Sequence, residues 1–229
     1  MYGETGEFID IHFNHPLSRV MFCISPDDAT YDLNLSIKSI TVKGVYSGGS
    51  CTFNGKVLIN DQKSAKFIGG LCASSDASAK IENCTNNGEV SYVPSTHMSD
   101  INVGGFVGQN NGNILNSVNN GAVTAVPENV AAGKINIGGF AGAGKAGKAD
   151  KSVNTGRIDC HFSGSLSSEV RIGGFIGEGT TMTCTGCNQF GDVSCPVAKS
   201  NYRVGGIIGF QVQINDGKDS NTLEDCALN

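Results

Sequence analysis

The stretch from Gly138 to Asp150, GGFAGAGKAGKAD, contains the glycine pattern of a phosphate-binding loop. Gly139 to Lys145 matches G-x-x-x-x-G-K, in which backbone amides and the lysine surround phosphate groups, and a G-x-G-x-x-G overlaps it. Both matches are incomplete, because Ala146 stands where Ser or Thr would hold magnesium. The residues that follow are polar and turn-rich, whereas a phosphate loop opens a helix. These departures weigh against a nucleotide site.

The nine cysteines include a C-x-x-C pair, Cys184 with Cys187, of a kind that can hold zinc or exchange disulfides. A zinc site needs a second pair at similar spacing, which the sequence lacks. A free thiol also behaves as a small hydrophobe, so we favour buried free thiols. Disulfides between neighbouring repeats and a metal site are the alternatives.

No set of side chains forms a catalytic pattern that the sequence can place together. The histidines are His12, His15, His97 and His161. None has a Ser, Cys or Asp partner at a spacing that indicates nucleophilic catalysis. We therefore predict no catalytic residues, no cofactor and no metal ligands, and a protein that is not an enzyme.

The glycine stretch is one copy of an internal repeat. GGLCA at Gly69 returns as GGFVG at Gly104, GGFAG at Gly138, GGFIG at Gly173 and GGIIG at Gly205, at intervals of 32 to 35 residues. A second motif follows each copy: IENCTNNGEV, ILNSVNNGAV, ADKSVNTGRI, CTGCNQFGDV and the shorter LEDCALN. Such a period is typical of solenoids, in which stacked units bury a continuous core that no single unit can form.

Aligning the copies predicts three columns of stacked side chains. The first holds Leu71, Phe106, Phe140, Phe175 and Ile207, and the second holds Val90, Val123, Ile158 and Val193. The third holds Asn86, Asn119 and Asn154, whose amides should bond along the stack. In the fourth copy we place the asparagine at Asn188. The glycines of the opening stretch therefore have a structural role in this alignment.

Composition excludes several classes of protein. The formal net charge is -5 and the basic residues are scattered, which disfavours nucleic acid or an anionic membrane as a partner. The sequence contains no run of about 18 apolar residues, so it predicts no transmembrane segment. A hydrophobic content of 39% argues against disorder, although glycine is frequent at 32 residues.

The N-terminal part differs from the repeats. FIDIHF, SRVMFCI, LNLSIKSITVKGVYS and SCTFNGKVLI read as four strands separated by turns. We place a strand segment at residues 1–60 and the solenoid at residues 61–229. Both ends of the sequence look like cuts in a longer exported chain, which would account for the lack of a visible signal sequence.

Two families share motifs with this sequence. Residues 13–56 resemble the fimbrillin-like (Mfa-like) proteins of Bacteroidales, through Phe13, His15, Leu17 and Ser18, then Ile37, Ile40, Gly44, Val45, Tyr46 and Gly49. From Lys66 onward the repeats are similar to the GLUG motif of bacterial surface proteins, with Ala73 departing from its usual glycine. The resemblance implies an exported, lipid-anchored or fimbria-associated protein on the outer surface, without catalytic residues.

Taken together, the sequence predicts an all-β protein: an incomplete fimbrillin-like, β-sandwich-type segment followed by a β-solenoid of about five 32–35-residue repeats, the last truncated. The predicted function is non-enzymatic, a cell-surface stalk that presents variable stretches for adhesion. Partners would be a host glycan, a matrix protein or other surface or fimbrial subunits. Candidate contacts in the variable stretches are Tyr92, Phe162 and Tyr202, which could equally pack in the core.

The alternative is a solenoid that binds or cleaves polysaccharides. It requires carboxylates from different repeats to converge on one groove, and the candidates are Asp100, Glu128, Asp159 and Glu169. A pure carbohydrate-binding module would instead need exposed aromatic side chains in a row.

Overall fold

The structure is a computed structural model, and it describes residues 51–60, 66–94, 96–97, 99–127, 129–130, 133–162, 169–196, 201–212 and 222–228. Within these ranges the chain forms short β-strands and no helix, and every strand pairing is parallel. Parallel strands at the period of the repeat stack one coil on the next, so the fold is a β-solenoid.

Each coil contributes strands to five parallel sheets, which we call a to e in the order that the chain visits them. Sheet a consists of Phe67–Gly69, Ile101–Gly104, Lys134–Gly138, Glu169–Gly173 and Tyr202–Gly205. Sheet b consists of Cys72–Ser74, Val107–Asn110, Ala141–Gly144, Ile176–Gly179 and Ile208–Gln211. Sheet c consists of Lys80–Glu82, Asn113–Leu115, Lys148–Asp150, Thr183–Thr185 and Thr222–Glu224.

The strands of sheet d lie within the second motif of each repeat, and those of sheet e begin at its last residue. Sheet d consists of Cys51–Phe53, Cys84–Asn86, Val118–Asn119, Val153–Asn154, Asn188–Gln189 and Ala227–Leu228. Sheet e consists of Val57–Asn60, Val90–Val93, Val123–Ala125, Ile158–Cys160 and Val193–Ser194. A two-stranded sheet pairs Thr96–His97 with Asn129–Val130. The strands make about four complete turns with a partial coil on each side, so the β-solenoid prediction is confirmed.

The first solenoid strands lie before the predicted boundary at residue 61. Cys51–Phe53 pairs with Cys84–Asn86, and Val57–Asn60 pairs with Val90–Val93. The sequence CTFNGKV at Cys51 is a further copy of CTNNGEV at Cys84. The sequence analysis did not recognise this copy because Phe53 occupies the position of the asparagine. The fimbrillin-like segment predicted for the residues before Cys51 lies outside the described residues.

Two hydrophobic cores run along the solenoid. The first lies between sheets a and e and contains Ile101, Val103 and the column from Val90 to Ile158. The second lies among sheets b, c and d and contains Phe106, Phe140 and Phe175. One face of sheet a packs on the first core, and one face of sheet b packs on the second core. The opposite faces of the two sheets therefore pack against each other.

The phenylalanine column stacks face to face. The ring centroids of Phe106 and Phe140 are 4.6 Å apart, as are those of Phe140 and Phe175, and the ring planes differ by 8° and 5°. This separation is close to the spacing of neighbouring strands, about 4.8 Å, because each ring is carried by one coil. The predicted column is present.

The glycines of GGFAG leave no room for side chains. A Cβ on Gly138 would lie 1.9 Å from the carbonyl oxygen of Ala141, inside the turn from sheet a to sheet b. On Gly139 it would lie 2.2 Å from Nδ2 of Asn154, and on Gly142 it would lie 2.5 Å from the backbone nitrogen of Val103. The stretch that resembled a nucleotide loop is therefore a tight turn followed by a close contact between two sheets.

A ladder of side-chain amides runs through sheet d. Asn86 Nδ2 donates to Asn119 Oδ1 at 2.8 Å, and Asn119 Nδ2 donates to Asn154 Oδ1 at 2.7 Å. Asn154 Nδ2 continues to Gln189 Oε1 at 2.9 Å, so Gln189, and not the predicted Asn188, fills the fourth position. The predicted bonding between amides along the stack is present because the same backbone register recurs in every coil.

Candidate functional site: a groove between sheets a and b

The turn at each glycine pair folds sheet b back over sheet a, so residues seven apart face each other. Asn102 Nδ2 donates to Gln109 Oε1 at 3.2 Å, and Arg171 forms an ion pair with Glu178. The coil between them presents Asn136 and Ala143 at the same register positions. The middle coil thus has the small side chain of Ala143 where the neighbouring coils have the longer side chains of Gln109 and Glu178.

A groove of about 390 Å³ opens where the two sheets part. This volume lies within the range of small-molecule sites, roughly 300–1,000 Å³. Its walls combine amides, lysines, carboxylates and one aromatic ring, and the lining residues are Lys66, Phe67, Ser99, Asp100, Asn102, Gln109, Lys134, Asn136, Lys145 and Glu178. We call this feature the a/b groove.

A buried charge network closes one side of the a/b groove. Glu178 is 2% exposed and binds both Arg171 and Lys145, the latter from the preceding coil. Arg171 is 4% exposed and also binds Glu169 at 2.5 Å, while its guanidinium lies 4.0 Å from the ring centroid of Phe210. Buried charges need such partners, since an unpaired one would be strongly destabilising.

Lys145 is the lysine of the phosphate-loop-like stretch. Burial and the neighbouring Arg171 lower its pKa, whereas Asp100 acts in the opposite direction. Its ammonium group is directed at the carboxylate of Glu178 on the next coil. The lysine therefore belongs to the wall of the groove, and its charge is already balanced there.

Two buried polar atoms beside the groove have no hydrogen-bond partner among the described residues. They are Asn136 Oδ1, an acceptor, and Arg171 Nε, a donor. The two residues are register neighbours in sheet a. Both atoms have almost no accessible surface, so they belong to the packing between sheets a and b and are not contacts for a ligand.

The candidate contact residues lie in the first core. Tyr92 is fully buried and Phe162 is 6% exposed, and the Phe162 ring packs edge to face on Tyr202 at 5.1 Å. Tyr202 is partly buried against the same core, and burial raises its pKa to about 12. The burial of Tyr92 and Phe162 favours the core interpretation for these two side chains, since a ligand cannot touch a side chain without accessible surface. Tyr202 keeps part of its surface accessible, so its role as a contact stays a prediction.

The described carboxylates of the alternative hypothesis are divided between sheets a and e. Asp100 precedes Ile101 in sheet a, at the position of Lys134 and Glu169 in later coils. Asp159 lies in sheet e, where it pairs with Arg157 and with His161 at 2.9 Å. Glu128 is outside the described residues. The groove carboxylate that the sequence analysis missed is Glu178, whose only signal is its place seven residues after Arg171.

The eight described cysteines are free thiols. Cys84, Cys160, Cys184 and Cys187 are buried, as the favoured interpretation expects, while Cys51 is exposed. Burial raises the pKa of Cys84 to about 11 and that of Cys160 well above its ordinary value. Within the described ranges no group of three or more His, Cys, Asp or Glu side chains could hold a metal ion.

These environments predict selective labelling of the thiols. In the native protein, iodoacetamide should modify Cys51 within minutes and leave Cys160 unmodified until the chain is unfolded, because only an accessible thiolate reacts. Peptide mass spectrometry before and after addition of guanidinium chloride measures both sites. Equal labelling of the two thiols in the native state would contradict the burial of Cys160.

In the part of the chain that the structure describes, no helix has the length and apolar character needed to cross a membrane.

Comparisons with known proteins assign no family to this chain. No family model matches the sequence, and no curated protein matches it significantly. Among solved structures, the chain is similar to a putative immunoglobulin A1 protease from Bacteroides ovatus, with 18% identity and a TM-score of 0.44. The alignment covers 77% of this chain and 57% of that protein, so the chain spans little more than half of that protein's length.

Proposed function

We propose that this chain is a non-enzymatic structural and adhesion protein of a bacterial cell surface, in which the solenoid is a rigid support and the a/b groove binds a glycan. The observation that carries the proposal is the groove itself. It offers several amides, a carboxylate and an aromatic ring on a scaffold whose coils keep the same register throughout. The surface location rests on the resemblance to fimbrillin-like proteins and GLUG repeats.

The chemistry of the groove suits sugars. A sugar presents many hydroxyl groups, which both donate and accept, and amide side chains such as Asn102 and Gln109 can do the same. Phe67 is 37% exposed at the edge of the groove and offers an apolar surface to a sugar ring. The other lining residues are polar or charged, which suits the many hydroxyl groups of a sugar.

The scaffold favours binding without large rearrangement. Every lining residue from Asn102 to Glu178 belongs to sheet a or sheet b, or directly adjoins one of them. Both sheets pack on hydrophobic cores, and rigid elements position side chains more accurately than loops do. A preformed groove reduces the entropy cost of binding.

A glycan array tests the proposal. The whole chain should bind a defined subset of glycans, and the double variant Phe67→Ala, Lys134→Ala should bind the same glycans at least about tenfold more weakly, the loss of one good contact. The matched control is Phe190→Ala, Lys148→Ala, which removes an exposed phenylalanine and an exposed lysine outside the groove. Absence of glycan binding by the whole chain, or equal loss in both variants, would refute the proposal.

One observation favours polysaccharide cleavage as a second candidate. Asp100 and Glu178 line the same groove, and general acid–base chemistry requires two such groups near one substrate. Glu178 forms ion pairs with Lys145 and Arg171, so in such a reaction it would serve as an electrostatic stabiliser, with Asp100 as the proton-transferring group. Release of reducing ends from a polysaccharide, abolished by Asp100→Asn, would establish this activity in place of simple binding.

A further inference from the structure

We infer that the a/b groove selects a polysaccharide in which acidic sugars alternate with neutral ones, such as an alternating copolymer of uronate and amino sugar. The inference rests on the proposed glycan binding and adds the class of glycan. It follows from the order of charges along the mouth of the groove and from the spacing of the coils.

The charges at the mouth alternate from coil to coil. Asp100 and Lys134 are register neighbours at the start of the sheet a strands of the second and third complete coils. Lys66 belongs to the first complete coil and lies one position further along, in register with Ile101. All three side chains line the groove. The order along the solenoid axis is therefore positive, negative, positive.

The two lysines are available for an anionic ligand. In the described part of the chain the groove's ion pairs involve Lys145 and Arg171 with Glu178, and neither Lys66 nor Lys134 takes part in an ion pair. Both are exposed. On a chain of net charge -5, two such cations at one groove create a local attraction for anions.

Asp100 sets the alternation. Its Oδ1 accepts a hydrogen bond from the backbone N–H of Lys134 at 2.7 Å, which holds the carboxylate between the two lysines. A carboxylate there repels a second carboxylate and accepts hydrogen bonds from hydroxyl or amide N–H groups. A ligand that fits all three positions carries acid groups at the first and third sugars and a neutral sugar between them.

The spacing of the coils matches a polysaccharide laid along the axis. Neighbouring strands in a sheet are about 4.8 Å apart, so Lys66 and Lys134 are about 10 Å apart along the axis. The distance from one coil to the next is thus roughly the length that one sugar unit adds to an extended polysaccharide. Below the charged rim, the amides of Asn102, Gln109 and Asn136 form a polar floor for hydroxyl groups.

Isothermal titration of the whole chain with three hexasaccharides tests the inference. The probes are a hyaluronan hexamer, in which uronate alternates with a neutral amino sugar, an oligogalacturonate hexamer, in which every sugar is acidic, and neutral chitohexaose. Hyaluronan should bind at least about tenfold more tightly than either of the others, and its affinity should fall as salt rises from 50 to 500 mM, since screening weakens exposed charges.

Two charge variants complete the test. Lys66→Gln, Lys134→Gln should lose at least about tenfold in affinity for hyaluronan, while the control Lys80→Gln, Lys148→Gln, which neutralises two exposed lysines of sheet c, should bind as the unaltered chain does. Thermal unfolding checks that both variants fold. Equal affinity for hyaluronan and chitohexaose, or for hyaluronan and oligogalacturonate, would overturn the inference and leave glycan binding intact. No binding of any hexamer, together with a blank glycan array, would overturn both.

Discussion

Replacing Gly142 by valine should lower the free energy of unfolding by about 5 kcal/mol or more, a large part of the stability of an ordinary domain. A Cβ at this position would lie 2.5 Å from the backbone nitrogen of Val103, 2.7 Å from the carbonyl carbon of Asn102 and 2.7 Å from the carbonyl oxygen of Gly108. All three atoms are backbone, so no side chain can move aside. Relief requires sheets a and b to separate, which would disturb both cores.

Urea unfolding followed by circular dichroism measures this loss. The matched control is Gly186→Asn in the same solenoid, since Gly186 has a φ of 60° and the nearest atom to its Cβ position is Lys151 Cγ at 3.6 Å, an ordinary van der Waals contact. Asn83 and Asn116 hold the equivalent place in earlier coils with φ of 54° and 48°, so asparagine should be tolerated within about 0.5 kcal/mol. A Gly142→Val protein as stable as the control would show that the two sheets are not in close contact.

Replacing Asn119 by leucine should destabilise the solenoid by about 4 kcal/mol, because several buried groups lose their partners at once and each costs about 1–3 kcal/mol. Asn119 Nδ2 donates to the carbonyl oxygens of Gly121 and Gly139, each at 2.8 Å, and to Asn154 Oδ1. Its Oδ1 accepts from Asn86. Leucine has a similar size but satisfies none of these atoms.

The neighbouring Asn120→Ala is the control for the amide ladder. Asn120 is exposed, and it donates to Asn87 Oδ1 at 2.8 Å on the surface of the same coil stack. Water replaces a partner lost there, so the expected change is within about 0.5 kcal/mol. Equal losses in the free energy of unfolding for the two variants, measured in the same urea titration, would contradict the claim that burial makes the ladder amides stabilising.

The columns could be derived from the sequence because a solenoid repeats its backbone register. Once Phe106, Phe140 and Phe175 occupy equivalent positions, stacking one coil on the next brings their rings together, and the same holds for Asn86, Asn119 and Asn154. Such contacts join neighbouring repeats, and the period is visible in the sequence. The derivation failed where a different residue fills the column, as Phe53 does before the first asparagine and Gln189 does after the last.

The sequence by itself therefore determined the coils, their order and the residues that stack along the axis. The a/b groove was decided by the tertiary structure alone, because it depends on how the strands of one coil face each other. Arg171 and Glu178 meet only because the turn at Gly173 and Gly174 folds sheet b onto sheet a, and Asn102 meets Gln109 for the same reason. Contacts between coils join equivalent residues, so the repeat period of the sequence predicts them. Contacts within one coil join different positions of the same repeat, so they depend on the path of the backbone, which the repeat period does not specify.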